Sequence, residues 1–218
     1  MPTLTEHLSR SKTALLEELA REVSDRRVLD AISRVPRERF VPRGLRQHAY
    51  ENRPLPIGHG QTISQPLIVA LMTQALELHG HERVLEVGTG SGYQAALLSH
   101  LAAEVVSVER VPELAHSAEG ALAGCSNVEV HVAGDTLGWP QDAPYDAIIV
   151  TAAAPRVPHE LQDQLAMPGR MVIPVGSRDL QELVRSVKGP EGSALANLGP
   201  CRFVPLLGAG AWSEGILR

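Results

Sequence analysis

Apolar residues in the first part of the chain recur at intervals of three and four, with polar residues between them. This period predicts an amphipathic helix over residues 4–23 and a shorter one over 28–35, after which Pro36 ends the pattern. Residues 50–63 contain two prolines and two glycines and predict an irregular ordered loop. Residues 64–78 are apolar on nearly every side, and Pro66 suits a first helical turn, so a helix buried on more than one side is expected.

From residue 82 onward, short β-branched runs alternate with helical stretches. The predicted strands are 83–87, 105–109, 128–133, 147–151 and 170–175, and the predicted helices are 93–101, 112–123 and 159–165. Two later runs, 182–187 and 201–207, are separated by a segment that is predicted to be a turn or loop, so they are expected to pair antiparallel at the sheet edge. The alternation is typical of βαβ units. It predicts an α/β fold with a doubly wound, mainly parallel sheet behind N-terminal helices.

Length and composition fit one globular domain. The 218 residues are 44% hydrophobic and 21% charged, which is typical of a soluble folded protein. No run approaches the roughly 20 apolar residues needed to cross a bilayer, and the first residues lack the apolar core of a secretory signal. Only Cys125 and Cys201 are present, so no disulfide framework is expected. These features predict a cytoplasmic protein that does not bind a membrane.

Charge gives no reason to expect a nucleic-acid partner, because the net charge is -5. A local basic segment does occur; its members are Arg34, Arg37, Arg39, Arg43 and Arg46. We interpret this segment as a solvated helix and turn. The histidines are scattered without carboxylates or cysteines at ligand spacing, so no metal site is predicted.

The segment VLEVGTGSGYQ (84–94) carries the first functional signal, a strand followed by Gly88, Gly90 and Gly92 and then a helix. Glycines there allow a sharp turn and a close approach of a ligand to the backbone. A dinucleotide fingerprint would place a further glycine at position 93, where this chain has Tyr93. The segment, with Glu86 two residues before the first glycine, is instead similar to motif I of class I methyltransferases.

Three acidic residues strengthen this interpretation. Glu86 suits a cationic sulfonium ligand, and Glu109 ends the second strand, where a carboxylate can accept bonds from ribose hydroxyls. Asp135 follows the third strand, where this superfamily contacts adenine, and Thr136 is expected beside it. The ordered set predicts S-adenosylmethionine as cofactor, with S-adenosylhomocysteine as product.

Longer stretches resemble one family, the protein-L-isoaspartate O-methyltransferases. The matching segments are VPRERFVP (35–42), LPIGHGQTISQP (55–66), VLEVGTGSGYQAA (84–96), YDAIIVTAAAP (145–155), PGRMVIPVG (168–176) and RFVPLLG (202–208). GQTISQP is the specific element, because many methyltransferases share the glycine loop. The resemblance implies methyl transfer to the free α-carboxylate of L-isoaspartyl residues in damaged proteins and peptides, by a monomer. It also implies one methyltransferase domain, with a helical extension and active-site loop (1–63) before the cofactor-binding core (64–212).

By this resemblance Ser64 is the candidate catalytic residue and is expected to orient the acceptor carboxylate. Spacing alone instead favours a cap for the helix that begins near Pro66, and both roles could hold together. Gln61 and Thr62 are expected to help cover the cofactor, whereas His59 is as easily a turn residue. Because a carboxylate is already ionised at neutral pH, no general base is expected, and catalysis should come from alignment of the reactants away from water.

Two departures from the family pattern stand out. The usual Gly-Asp-Gly after the third strand is Gly134-Asp135-Thr136 here, and the segment after PVG is SRDLQ (177–181). They are expected to reshape the adenine pocket and the edge near the substrate peptide. The small residues 152–154 after the fourth strand either leave room for substrate or allow close packing.

Three alternatives stay open at this level. One is a methyltransferase with a small-molecule or nucleic-acid acceptor, although residues 152–155 read AAAP and not the Asn-Pro-Pro-aromatic segment of amino-methylating nucleic-acid enzymes. Another is a module that binds the cofactor without catalysis. The last is an NAD dehydrogenase, which Tyr93 disfavours.

Overall fold

The computed structural model of the protein describes residues 3–208 and 210–213. Its helices are α1 (Leu4–Leu19), α2 (Arg26–Arg34), α3 (Pro66–Ala75), α4 (Tyr93–Leu98), α5 (Pro112–Leu122) and α6 (His159–Asp163). Its strands are β1 (Leu55–Gly58), β2 (Gln61–Ile63), β3 (Arg83–Val87), β4 (Glu104–Glu109), β5 (Val128–Val132), β6 (Tyr145–Val150), β7 (Leu165–Gly176), β8 (Gln181–Gly189) and β9 (Gly192–Cys201).

Seven strands form the central sheet, in the order β5-β4-β3-β6-β7-β8-β9. The strands from β5 to β7 are parallel, whereas β8 and β9 pair antiparallel at one end. The chain runs outward from β3 to β5 and then returns to β6 on the other side of β3. A crevice therefore opens at the carboxyl ends of β3 and β6, where open α/β sheets bind ligands. The predicted fold class is confirmed.

Apolar side chains cover both faces of this sheet. In β3, Val84 belongs to the core that includes residues of α1 to α5, whereas Leu85 and Val87 belong to a second core. The second core is closed by Leu161 of α6 and by Leu206. Burial on both faces explains why the parallel strands read as nearly continuous apolar runs.

The last strand of the sheet does not lie where the sequence predicts it. Residues 192–200, which were expected to be in a loop, belong to β9, and the predicted strand 201–207 contributes only its first residue, Cys201. Strand β9 is almost wholly exposed and contains no β-branched residue. Its pairing with β8 holds it in place, because its own side chains have little propensity for a strand.

A hairpin replaces the irregular loop that was predicted for residues 50–63. Strands β1 and β2 pair antiparallel, with Gly58 opposite Gln61. The two residues between them, His59 and Gly60, both have positive φ (52° and 71°), as a tight type I′ turn requires. Ile63 at the end of β2 is buried in the core, so the hairpin presents Ser64 at a fixed position.

The basic segment is not uniformly solvated. Arg34, Arg39 and Arg43 are exposed, but Arg37 is completely buried. The prediction of a solvated face was therefore wrong for Arg37, because this side chain turns inward to hydrogen-bond main-chain carbonyls. Within residues 3–208 and 210–213, no helix has both the length and the apolar character to span a membrane.

Candidate active site

A cavity of about 440 Å³ opens at the carboxyl ends of the parallel strands. Its volume is in the range of small-ligand pockets. Nine of the ten predicted site residues line it: Gln61, Thr62, Ser64, Glu86, Gly88, Gly90, Glu109, Asp135 and Thr136. The fold therefore brings the hairpin, the glycine loop and the two later strand ends together around one space.

Gly88 makes the turn that ends β3. Its φ is +102°, and a Cβ on it would lie 2.3 Å from Oγ1 of Thr151. That hydroxyl donates to the carbonyl of Gly88 at 2.6 Å, so Thr151 at the end of β6 fixes the loop from the neighbouring strand. Only glycine fits this position, for both its conformation and its space.

Gly92 does not line the cavity. It is the N-cap residue just before α4, with φ +84°, and a Cβ on it would lie 3.1 Å from Cδ1 of Leu122 in α5. Its position lets α4 pack closely on α5 beneath the loop.

Glu86 is a fully buried carboxylate in the wall of the cavity. Ser107 Oγ donates to Glu86 Oε2 at 2.5 Å, and Thr89 Oγ1 lies 2.6 Å from the same Ser107 hydroxyl. Among the described residues, Oε1 of Glu86 has no hydrogen-bond partner. Desolvation by burial, opposed by the Ser107 bond and reinforced by the charge of Glu109, raises the pKa of Glu86 to about 8. A cationic or N–H-bearing ligand would satisfy this unpaired oxygen.

Glu109, at the end of β4, is already bonded to the backbone. Its Oε2 accepts from the Gly90 amide at 2.8 Å, and its Oε1 accepts from the Val111 amide at 2.9 Å. These bonds hold the carboxylate rigid and pin the glycine loop to β4. Each oxygen keeps a free lone pair for a ligand hydroxyl.

The segment after β5 forms an exposed wall of the cavity. Asp135 and Thr136 are exposed, and the buried Gln164 side chain organises the residues that follow them. Oε1 of Gln164 accepts from the Trp139 amide at 2.9 Å, and Nε2 donates to the Leu137 carbonyl at 2.8 Å. Sequence reasoning did not find Gln164, because nothing in its local pattern marks it.

Ser64, directly after the hairpin, also lines the cavity. Its hydroxyl makes no hydrogen bond to any residue that the structure describes. Helix α3 has no side-chain cap from its own N-cap residue; the Leu67 amide instead donates to Oδ1 of Asn52 at 3.0 Å. Asn52 therefore takes the capping role that the spacing left open for Ser64, whose hydroxyl stays available to a ligand.

Other candidates lie outside the cavity or only at its rim. His59 is exposed at the hairpin turn and does not line it. Of the small residues after β6, Ala152 lines the cavity, whereas Ala153 and Ala154 are bonded to the backbone of Val204 and Pro174. Both interpretations of this segment therefore hold, each for different residues.

One group of potential metal ligands occurs elsewhere among the described residues. Glu129, His131 and Asp142 hold atoms within 4.8 Å of one another, and none of the three lines the cavity. The expectation of no metal site stays a prediction.

Fold and cavity together define a class I methyltransferase that depends on S-adenosylmethionine. Residues 10–211 match the protein-L-isoaspartate(D-aspartate) O-methyltransferase (PCMT) family, and the chain belongs to that family. Protein-L-isoaspartate O-methyltransferase 1 of Syntrophobacter fumaroxidans is 56% identical over 196 residues, which are 89% of this chain and 92% of the relative. Protein-L-isoaspartate O-methyltransferase 2 of Pelobacter propionicus is 52% identical, over 97% of this chain and 96% of the relative.

Solved structures agree with these sequence relatives. A protein-L-isoaspartate O-methyltransferase has a TM-score of 0.80 and 29% identity, over 90% of this chain and 66% of that one. A Plasmodium falciparum protein described as a putative member, in complex with S-adenosyl-L-homocysteine, has a TM-score of 0.76 and 25% identity, over 88% of this chain and 95% of that one. The predicted family and the predicted cofactor are confirmed.

Proposed function

We propose that this chain repairs damaged proteins by methylating the free α-carboxylate of L-isoaspartyl residues, with Ser64 orienting that carboxylate. One observation carries the proposal. The unbonded hydroxyl of Ser64 lines the same cavity as the buried, partly unpaired carboxylate of Glu86. An anionic acceptor and a cationic methyl donor can therefore share one cavity.

The methyl-donor side is formed by the glycine loop and the strand ends. Glu86 would accept from the amino-acid part of S-adenosylmethionine through Oε1, and Glu109 would accept from ribose hydroxyls through its free lone pairs. Asp135 and Thr136 would face the adenine end, and Gln61 and Thr62 would cover the donor from the hairpin. Gly88 and Gly90 provide the close backbone approach, while Gly92 supports them from below.

The acceptor needs alignment and not deprotonation. A free α-carboxyl group has a pKa of roughly 3.3–3.7, so it is ionised at neutral pH and requires no general base. S-adenosylmethionine supplies an electrophilic methyl group on a sulfonium. Ser64 would donate to one acceptor oxygen and leave the other directed at that methyl group. Because the opposite charges are neutralised in the reaction, exclusion of water by the hairpin favours it.

We also place the enzyme in the cytoplasm as a monomer with one methyltransferase domain. The two cysteines are both free, which suits a reducing compartment. Size-exclusion chromatography with light scattering would test the monomer directly.

Two synthetic peptides that differ only in one residue, L-isoaspartate or aspartate, test the function. We expect labelled S-adenosylmethionine to methylate the isoaspartyl peptide alone. Labelling of neither peptide, with the cofactor still bound in a parallel titration, would contradict the repair function and favour a small-molecule acceptor. A panel of small carboxylic acids would then identify that acceptor class.

A further inference from the structure

Arg37 is a buried cation directly behind the cavity. Its side chain is 0% exposed, and it does not line the cavity itself. Nε donates to the Ala49 carbonyl at 2.8 Å, and Nη2 donates to the Ser64 carbonyl at 2.7 Å. The guanidinium carbon lies 4.8 Å from the centre of the Tyr93 ring.

Burial of this charge costs free energy that its partners only partly offset. No carboxylate forms an ion pair with Arg37 among the described residues, and its Nη1 has no hydrogen-bond partner there. The carbonyls of Ala49 and Ser64 and the ring of Tyr93 offset part of the cost of burying its charge. For core stability alone, apolar residues of similar volume often serve as well as or better than buried ionic groups.

The partners of Arg37 belong to both sides of the cavity. Ser64 lines the acceptor side at the end of the hairpin. Tyr93 also lines the cavity, as the first residue of α4 immediately after the glycine loop. A single rigid guanidinium therefore holds the acceptor-side backbone at a set distance from the loop that holds the methyl donor.

We propose that Arg37 is a positioning residue for methyl transfer: it fixes the main chain of Ser64 against the donor loop and so sets the acceptor oxygen in line with the methyl group. The inference rests on the proposed acceptor role of Ser64. An in-line displacement is sensitive to such placement, because an error of about 1 Å can cost about 100-fold in rate. Arg37 touches neither reactant and acts only through Ser64.

The test compares Arg37→Met, Arg37→Lys, Ser64→Ala and the double variant Ser64→Ala/Arg37→Met in the full chain. Arg170→Met is the matched control. Arg170 also donates to main-chain carbonyls, those of Leu76 and Glu77, but no residue that it bonds lines the cavity. For each variant, kcat and KM for the isoaspartyl peptide, Kd for S-adenosylmethionine, and Tm are measured.

We expect Arg37→Met to lower kcat/KM for the peptide by about 10- to 100-fold, with the cofactor Kd changed less than about threefold. In the Ser64→Ala background the same change should cost little more, because residues that act through one group are not additive. Arg37→Lys should recover part of the loss, since its ammonium can still donate to a carbonyl. Arg170→Met should lower Tm and leave kcat/KM unchanged.

Four results would overturn the inference in distinguishable ways. Equal losses from Arg37→Met with and without Ser64 would show that Arg37 does not act through Ser64. Unchanged kcat/KM with a lower Tm, as in Arg170→Met, would make Arg37 purely structural. Unchanged kinetics in Ser64→Ala would remove the acceptor role itself, and inactivity of the unaltered chain would remove the repair function. If Arg37→Met does not fold, Arg37→Lys with and without Ser64→Ala completes the same cycle.

Discussion

The proposed methyl-donor side and the proposed acceptor side of the cavity are held in different ways. On the donor side, the functional groups are bonded to their own loop and strands: Glu109 accepts from two backbone amides, and Glu86 is tied to Ser107. On the acceptor side, the Ser64 hydroxyl is free and its backbone carbonyl is held by the buried Arg37. The donor side is thus held by bonds among the carboxyl ends of neighbouring sheet strands, whereas the acceptor side is held by a buried side chain from the segment after α2, outside the sheet.

This difference has a chemical reason. The cofactor is one fixed molecule, so a rigid site costs nothing in adaptability and saves ordering entropy on binding. The acceptor is a damaged residue in many different chains. A free hydroxyl on a fixed backbone can adjust to each peptide while the main chain keeps the reacting atoms aligned.

Gly88→Ala should break the donor side with the largest effect. The added methyl would lie 2.3 Å from Oγ1 of Thr151 and would need a φ of +102°. We expect cofactor affinity to fall by more than about 100-fold, because both the strain and the overlap must be relieved by moving the loop. Isothermal titration with S-adenosylmethionine measures this. Gly120→Ala, at an exposed helical position with open space, is the control and should keep wild-type affinity.

Ser64→Ala should affect the acceptor side alone. We expect kcat/KM for the isoaspartyl peptide to fall by about 10- to 100-fold, as for removal of one positioned hydrogen-bond donor. Cofactor affinity should stay within about twofold, since Glu86 and Glu109 are untouched. Parallel steady-state kinetics and titrations measure both. Loss of cofactor affinity with unchanged peptide kinetics would show that Ser64 belongs to the donor side and not to the acceptor side.

The raised pKa of Glu86 predicts a pH dependence on the donor side. In the free protein this carboxyl is mainly protonated below its pKa of about 8. A cationic ligand favours the ionised form, so binding should release a proton and tighten by about fivefold from pH 7 to pH 8. Titrations at several pH values test this, with Glu86→Gln as the matched variant. An identical pH slope in both proteins would exclude Glu86 as the titrating group.

The raised pKa of Glu86 affects the stability of the free protein in the opposite direction: rising pH strengthens cofactor binding but lowers the free energy of unfolding. The folded state holds a proton on Glu86 between the unfolded pKa near 4.5 and about 8, so the free energy of unfolding from this group falls as pH rises through that window. Urea unfolding of the free protein at pH 5 and pH 8 measures the change. Glu86→Gln should remove that part of the slope.

Gln164→Met should give the smallest effect, on the adenine end of the donor side. The change removes the hydrogen bonds to Trp139 and Leu137 and introduces an apolar side chain of similar length. We expect a lower Tm and a cofactor affinity about threefold weaker, since a buried backbone group left unpaired costs about 1–3 kcal/mol, mostly in the fold. Gln141→Met at an exposed position is the control. A loss above about 100-fold would make this segment as critical as Gly88.

Strength of local pattern separates what the sequence predicts from what it misses. Strand β3 was predicted to the residue, because apolar Val84, Leu85 and Val87 dominate a short run that leads directly into the glycine loop. Strand β9 was missed because its exposed Gly, Ser and Ala residues gain a strand conformation only from β8. The sequence predicts strands that are buried on both faces. It does not predict an edge strand whose conformation depends on pairing with a neighbour.

The candidate site divides in the same way. Nine of the ten predicted residues line one cavity, since motif spacing and strand ends place them there. Arg37 and Gln164 were not recognised, because the bonds that tie them to the site, Arg37 to the Ser64 carbonyl and Gln164 to the Leu137 carbonyl, each join residues 27 positions apart along the chain. Neither the distribution of charges nor the period of apolar residues in a sequence indicates whether a polar side chain turns inward to bond a distant carbonyl.

Asn52 bears on how far this protein can be shortened. Its Nδ2 donates to Glu18 of α1 at 2.6 Å, while its Oδ1 accepts from the Leu67 amide at the start of α3. The predicted boundary between an extension ending at residue 63 and a core beginning at 64 therefore cuts through a helix cap. A fragment that begins at residue 64 would lose that cap, so we expect it to have a lower Tm than the full chain.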